Sequence, residues 1–102
     1  MRDQLTALII GVAEELNGTM SQPIPVEKGA DAPLYGREGV LDSLELVTMV
    51  VAVEEAIEDE LGVTVVLADE KAMSQRTSPF LTIGTLAAYA EKLVQEETAN
   101  AG

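Results

Sequence analysis

The sequence predicts an all-α fold in which three main amphipathic helices and one short helix form a four-helix bundle, with a long loop between the first two main helices. Two observations lead to this prediction. Apolar residues recur at the i, i+3, i+4 and i+7 spacing of one helical face in three separate stretches. The run of β-branched residues from Val63 to Leu67 has no second strand to pair with, so we expect an extended connector there.

The first main helix is predicted from an apolar stripe near the N-terminus, and Asn17-Gly18 supplies its C-terminal stop. The stripe comprises Leu5, Leu8, Ile9, Val12, Ala13 and Leu16. Residues 18–40 then hold three prolines and four glycines, which indicates a long ordered loop rather than another helix. The residues expected to attach this loop to the core are Ile24, Val26, Leu34 and Tyr35.

The second main helix is predicted to start near Asp42 and to end at Gly62. Its apolar stripe comprises Leu46, Met49, Val50, Val53, Ile57 and Leu61. The third runs from about Ile83, with Thr82 as its N-cap. Its apolar face comprises Ile83, Leu86, Ala87, Ala90, Leu93 and Val94. Residues 67–75 are predicted to form the short helix, and about residues 98–102 are expected to be disordered.

Composition bounds the class of protein. A chain of 102 residues is expected to form one domain whose buried core is large enough to be stable without disulfides or bound metal ions. Because 47% of the residues are hydrophobic but only 3% are aromatic, we expect an aliphatic core. The absence of cysteine excludes disulfides, thiolate nucleophiles and zinc fingers. The sequence has neither an apolar run of the ~20 residues that span a bilayer nor a signal-peptide pattern, so a cytoplasmic protein without membrane insertion is expected.

The net charge of −12 is concentrated in one part of the chain. Between Arg37 and Lys71 there is no basic residue, whereas ten acidic residues fall there, from Glu38 to Glu70. Such a field repels nucleic acid and anionic membranes and speeds encounters with basic protein surfaces. The alternative interpretation is a solvated face that only keeps the protein soluble.

Ser43, in the tripeptide Asp42-Ser43-Leu44, stands at the start of the second helix. Asp42 and Glu45 have the spacing of a capping box, which would place Ser43 at the first helical position with its hydroxyl free. In the alternative, Ser43 is itself the cap. The chain has no histidine, and neither lysine that could replace one as a base, Lys71 or Lys92, has a supporting motif, which argues against a serine hydrolase.

The stretch Gly39-Val40-Leu41-Asp42-Ser43-Leu44, followed by an apolar helix containing Val53-Glu54-Glu55-Ala56-Ile57, resembles the acyl carrier protein family. The likeness extends over nearly the whole chain and implies an acyl-carrier-like four-helix bundle. It also implies a 4′-phosphopantetheine arm on Ser43, added by a phosphopantetheinyl transferase, that carries acyl or related intermediates as thioesters. The Gly-x-Leu-Asp-Ser form is more similar to D-alanyl carriers and other specialised carriers than to the housekeeping fatty-acid type.

The resemblance further implies that the second helix docks acyl-loading and acyl-processing enzymes through their basic patches. The positions that match the family's exposed apolar contacts are Leu44, Val47 and Val51, and the acidic rim around them comprises Asp42, Glu45, Glu54 and Glu55. In the alternative, Val47 and Val51 pack under the long loop. The expected protein is a monomer and not an enzyme, with no catalytic residue and no metal site.

Small side chains on the second and third helices suggest where cargo would go. Val50, Val53, Ala87, Ala88 and Ala90 could line a slot that opens for an acyl chain and is tightly packed without one.

The competing function is a non-enzymatic, acidic helical adaptor that binds a basic protein surface, with Ser43 only structural. It shares the predicted fold and charge with the carrier, so only modification of the serine separates the two.

Overall fold

Three α-helices and one 3₁₀ segment form the regular structure of the described residues. We analysed a computed structural model that describes residues 2–18, 23–35, 39–67 and 79–101, without the side chains of residues 43 and 99–101. The elements are α1 (Arg2–Leu16), the 3₁₀ segment (Val26–Asp31), α2 (Ser43–Leu61) and α3 (Ile83–Ala101). No strand occurs within the described ranges, in agreement with the all-α prediction. Apart from Leu67, the predicted short helix at residues 67–75 lies outside the described residues.

Helix α1 lies at the centre of the arrangement and packs against both α2 and α3. It buries Leu5, Ile9, Val12 and Ala13, while Leu8 and Leu16 are partly buried. The radius of gyration is 12.8 Å, which agrees with the value of about 13 Å for a compact domain of this size. In the described part of the chain, no helix combines the length and the apolar character needed to cross a membrane.

The residue after α1 holds the start of the long loop. The side-chain oxygen of Asn17 accepts a hydrogen bond of 2.7 Å from the Ile24 backbone N–H. Its amide group donates back to the Ile24 carbonyl at 3.1 Å. Asn17 therefore does more than stop the helix as the sequence predicted, because its side chain pairs with a backbone segment seven residues away.

The loop differs in two ways from the prediction. Residues Val26–Asp31 form 3₁₀ structure, with a kink at Gly29 where φ is +61°, so the stretch is not wholly irregular. Ile24 and Leu34 are buried and Val26 is partly buried, as expected, but the side chain of Tyr35 is 36% exposed and does not belong to the core.

Backbone hydrogen bonds join the end of this loop to the start of α3. The Leu34 and Tyr35 N–H groups donate to the carbonyls of Leu81 and Phe80 at 2.8 and 3.1 Å, and the Ile83 N–H donates to the Ala32 carbonyl at 3.0 Å. Thr82 caps α3 as predicted, since its hydroxyl accepts from the Thr85 N–H at 3.1 Å. The loop and α3 are thus held as one unit.

Helix α3 continues further than the sequence suggested. Its backbone is helical to Ala101, whereas about residues 98–102 were expected to be disordered. In the described part of its last turns, the Thr98 hydroxyl donates to the Val94 carbonyl at 2.6 Å.

The core is mainly aliphatic, but two of the three aromatic residues belong to it. Phe80 and Tyr89 are both buried, which corrects the expectation of a purely aliphatic core. Tyr89 lies on the same face of α3 as Leu86 and Ala90, and Phe80 precedes the helix at the point where the loop is attached. Leu93, expected on the apolar face of α3, is only partly buried.

Two glycines inside helices give a matched pair of substitutions. A Cβ added at Gly84 in α3 would lie 2.9 Å from the Ala30 carbonyl oxygen, whereas one added at Gly11 in α1 would meet nothing within 4 Å. We expect Gly11→Ala to raise the free energy of unfolding by about 0.5–1 kcal/mol, because alanine restricts the unfolded chain. Gly84→Ala should instead lower it by about 1–3 kcal/mol, because the 3₁₀ segment must shift. Urea denaturation of both variants checks this, and a stabilised Gly84→Ala would contradict the close packing.

Candidate functional site

The N-terminus of α2 is built by Asp42. Its carboxylate accepts a hydrogen bond of 2.8 Å from the Glu45 backbone N–H, and the Glu45 carboxylate accepts one of 3.1 Å from the Asp42 N–H. This is the predicted capping box, and α2 begins at Ser43. The alternative in which Ser43 caps the helix is therefore wrong. Ser43 occupies the first helical position, where the helix requires no hydrogen bond from its side chain.

The approach to Ser43 is held against the long loop. The Leu41 N–H donates to the Leu34 carbonyl at 2.9 Å, and Leu41 itself is buried. A Cβ at Gly39 would lie 2.6 Å from the Leu34 carbonyl oxygen and equally close to backbone atoms of Tyr35, so only glycine fits there. Gly39 therefore permits the close approach of the loop, and Leu41 anchors the segment in the core. These contacts position the start of α2 relative to the segment that precedes α3, because the Leu34 N–H donates a hydrogen bond to the Leu81 carbonyl.

An exposed apolar ridge runs along α2 from this end. Leu44, Val47 and Val51 are 78%, 55% and 46% exposed, and we refer to these three residues as the α2 ridge. The predicted core stripe on the opposite face is buried, apart from the partly buried Leu61. The alternative in which Val47 and Val51 pack under the long loop does not hold, because both are exposed.

The acidic residues near the α2 ridge differ in their surroundings. Asp42 and Glu45 form the capping box, and Glu55 is exposed. Glu54 is partly buried, and its carboxylate accepts a hydrogen bond of 2.6 Å from the Leu67 backbone N–H. The prediction that all four form a rim for partners did not include this internal role of Glu54. The exposed Thr48 forms a hydrogen bond within α2, since its hydroxyl donates to the Leu44 carbonyl at 3.0 Å.

The charged residues of the segment that contains the site are all acidic. Residues 39–67 contain no lysine or arginine, and their acidic residues are Asp42, Glu45, Glu54, Glu55, Glu58, Asp59 and Glu60. Across the described residues, no three or more acidic side chains lie close enough together to bind a metal ion. The site is therefore a strongly negative surface with an apolar ridge, the kind of surface that attracts basic proteins.

The small residues proposed to line a cargo slot are mostly buried. Val50, Val53, Ala87 and Ala90 belong to the packed core, while Ala88 is partly exposed. A groove of about 480 Å³ lies instead between α1 and α2, beside Gly11 and Ala56, with Glu15 and Glu60 among its lining residues. A second cavity of about 360 Å³ lies between the 3₁₀ segment and the start of α3. Neither is lined by the proposed slot residues, so a slot there would have to open for its cargo.

Comparison with known proteins leaves the family open. No family model, no curated protein and no solved structure matches the chain. Any assignment of function therefore rests on the residues of the chain and on the geometry described above.

One exposed apolar residue outside α2 was not predicted from the sequence. Val66, in the extended connector after α2, is 59% exposed, whereas its neighbours Val65 and Leu67 are buried. The period of two in an extended segment could have indicated this outward position. The hydrogen bond between Glu54 and Leu67 joins residues thirteen positions apart, and no local pattern predicts it.

Proposed function

We propose that the protein is an acyl carrier protein with Ser43 as the attachment point of a 4′-phosphopantetheine arm. In this proposal it delivers acyl or related intermediates to enzymes of fatty-acid, polyketide or other specialised lipid biosynthesis in the cytoplasm. The fold would be the four-helix bundle of that family, completed by a short helix within residues 67–75. The observation that carries the proposal is that Asp42, and not Ser43, caps α2. A serine at the first helical position is thus not needed as a cap and stands beside an exposed apolar ridge.

The residues around Ser43 are compatible with such a group. Its neighbours Asp42 and Leu44 are both exposed, which suits a bulky substituent on the serine between them. A helix N-terminus favours the negative charge of a phosphate. The carboxylates of Asp42 and Glu45 would repel that phosphate, which favours an arm directed away from the helix. The bound arm supplies a thiol that holds the cargo as a thioester.

The chain itself needs no catalytic group for this role. A phosphopantetheinyl transferase would form the bond between the serine oxygen and phosphorus. Cleavage of the pyrophosphate bond of coenzyme A would release adenosine 3′,5′-bisphosphate and a proton. The carrier contributes recognition, for which the α2 ridge offers apolar contact area. The acidic residues of α2 would steer basic partner surfaces toward it.

Intact-protein mass spectrometry tests the proposal. The protein is incubated with a phosphopantetheinyl transferase, coenzyme A and magnesium, and its mass is compared with that of an untreated sample. We expect the gain of one phosphopantetheine group per chain. An unchanged mass with several transferases of different specificity would contradict the proposal and favour the acidic adaptor, which shares the exposed ridge and the charge but needs no modification.

A further inference from the structure

We propose that the docking surface extends beyond α2 to Val66, and that Glu54 is a positioning residue that holds Val66 beside the α2 ridge. This inference rests on the proposed carrier function and identifies a further part of the surface that partner enzymes contact. It assigns Glu54 a different role from that of a simple member of the acidic rim.

The position of Val66 follows from one hydrogen bond. Glu54 comes three residues after Val51 and seven after Val47, so all three lie on the same side of α2. The Glu54 carboxylate accepts from the Leu67 N–H at 2.6 Å. This N–H belongs to the peptide bond that joins Val66 to Leu67. The backbone of Val66 therefore lies next to the Glu54 side chain, on the side of α2 that carries the α2 ridge.

The exposure of Val66 is imposed by its neighbours. Val65 and Leu67 are buried in the core, and in an extended segment the residue between them must point the opposite way. A single exposed valine needs no explanation in itself. Val66, however, lies beside Glu54, and with the three exposed residues of the α2 ridge it makes up the apolar patch that we propose as the docking surface: Leu44, Val47, Val51 and Val66.

The charge around this patch identifies its occupant as a basic protein surface with an apolar depression. Residues 39–67 carry seven acidic residues (Asp42, Glu45, Glu54, Glu55, Glu58, Asp59 and Glu60) and no basic one. A second copy of the chain, with a net charge of −12, would be repelled. Lysine and arginine side chains of an enzyme would meet the acidic residues while its apolar groups cover the patch.

Steady-state kinetics of a phosphopantetheinyl transferase that modifies the wild-type protein tests the role of Val66. Val66→Ser is expected to raise the KM for the carrier by about fivefold to tenfold, because an apolar contact is lost, with kcat unchanged. Thr64→Ser, at an exposed position of the same connector, is the matched control and should leave KM unchanged. An unchanged KM for Val66→Ser would overturn the proposal.

Two substitutions of Glu54 separate positioning from charge. Glu54→Ala removes the acceptor of the Leu67 N–H and should raise KM about as much as Val66→Ser. Glu54→Gln keeps a side-chain carbonyl oxygen and should restore most of that loss, although it removes the negative charge. Combining Glu54→Ala with Val66→Ser should add little to either single effect. If Glu54→Gln is as impaired as Glu54→Ala, Glu54 acts through its charge and the positioning role is wrong.

The outcome for the wild-type protein keeps this test distinct from that of the proposed function. If the transferase modifies the wild-type protein and the variants have an unchanged KM, only the extended docking surface is wrong. Wild-type protein that no transferase modifies overturns the carrier function and the inference with it. Thermal unfolding of each variant shows whether a higher KM comes from loss of the fold, and Val66→Ser, at an exposed position, should melt close to wild type.

Discussion

Ser43→Ala is expected to abolish the addition of phosphopantetheine and to leave the free energy of unfolding within about 0.5 kcal/mol of wild type. The first effect follows from the loss of the hydroxyl that would be modified. The second follows from the capping box, because the side chains of Asp42 and Glu45 accept the hydrogen bonds of each other's backbone N–H at the start of α2. Intact mass after transferase treatment and urea denaturation of the same preparation measure both quantities.

Asp42→Ala provides the matched control at the neighbouring position. It removes the side chain that accepts from the Glu45 N–H and should lower the free energy of unfolding by about 0.5–2 kcal/mol. If Ser43→Ala costs as much stability as Asp42→Ala, the serine has a structural role, and the reason for proposing it as the attachment point is lost. Ser43→Ala protein that still gains the group would show that another residue is modified.

Ile57→Ala is expected to lower the free energy of unfolding by about 2–5 kcal/mol, the largest effect on stability among these predictions. Ile57 is fully buried on the core face of α2, where truncation removes apolar contacts and leaves a cavity. Urea denaturation monitored by circular dichroism measures the change. A loss below about 1 kcal/mol would mean that α2 does not turn this face toward the core.

Two valines on α2 allow the same substitution on opposite faces. Val53 is fully buried and Val51 is 46% exposed. Val53→Ala should cost about 2 kcal/mol for two buried carbons and the space they leave, whereas Val51→Ala should change stability by less than about 0.5 kcal/mol. Equal losses would contradict the exposed position of the α2 ridge. The comparison needs no assumption about partners or modification.

Both ends of α2 and the start of α3 were predictable because local chemistry determines them. Asp42 and Glu45 form their capping box within one turn, and Gly62 ends α2 with a positive φ of 67°. Thr82 likewise caps α3 through a hydrogen bond to a residue three positions away. In both N-terminal caps the two partners are three residues apart, so the spacing of residue types in the sequence is sufficient.

Contacts between distant segments were not predictable in this way. At Gly84 in α3, the carbonyl of Ala30 approaches so closely that a Cβ would lie 2.9 Å from its oxygen. Gly39 looked like part of a family motif, and the backbone of Leu34 and Tyr35 explains why no side chain fits there. Both close contacts form only when the loop, α2 and α3 pack together in the fold. Local patterns in a single sequence do not predict such contacts.

The candidate site also combines features that local sequence determines with features that depend on contacts between distant segments. The helical period of 3.6 residues separates Leu44, Val47 and Val51 from the buried stripe, so their exposure follows from the sequence once α2 is recognised. The addition of Val66 depends on where the connector lies after the helix, and thus on the hydrogen bond between Glu54 and Leu67. Its outward direction could be predicted, but its place beside the α2 ridge could not.

Mapping the modification after tryptic digestion tests the central claim most directly. Trypsin cleaves after Arg37 and Lys71 and releases residues 38–71 as one fragment, which contains a single serine, Ser43. The other serines, Ser21, Ser74 and Ser78, fall in different fragments. After treatment with a transferase and coenzyme A, we predict that fragment 38–71 alone gains one phosphopantetheine group and that fragmentation locates it on Ser43. An unmodified fragment 38–71, or a group on any other residue, would contradict the account.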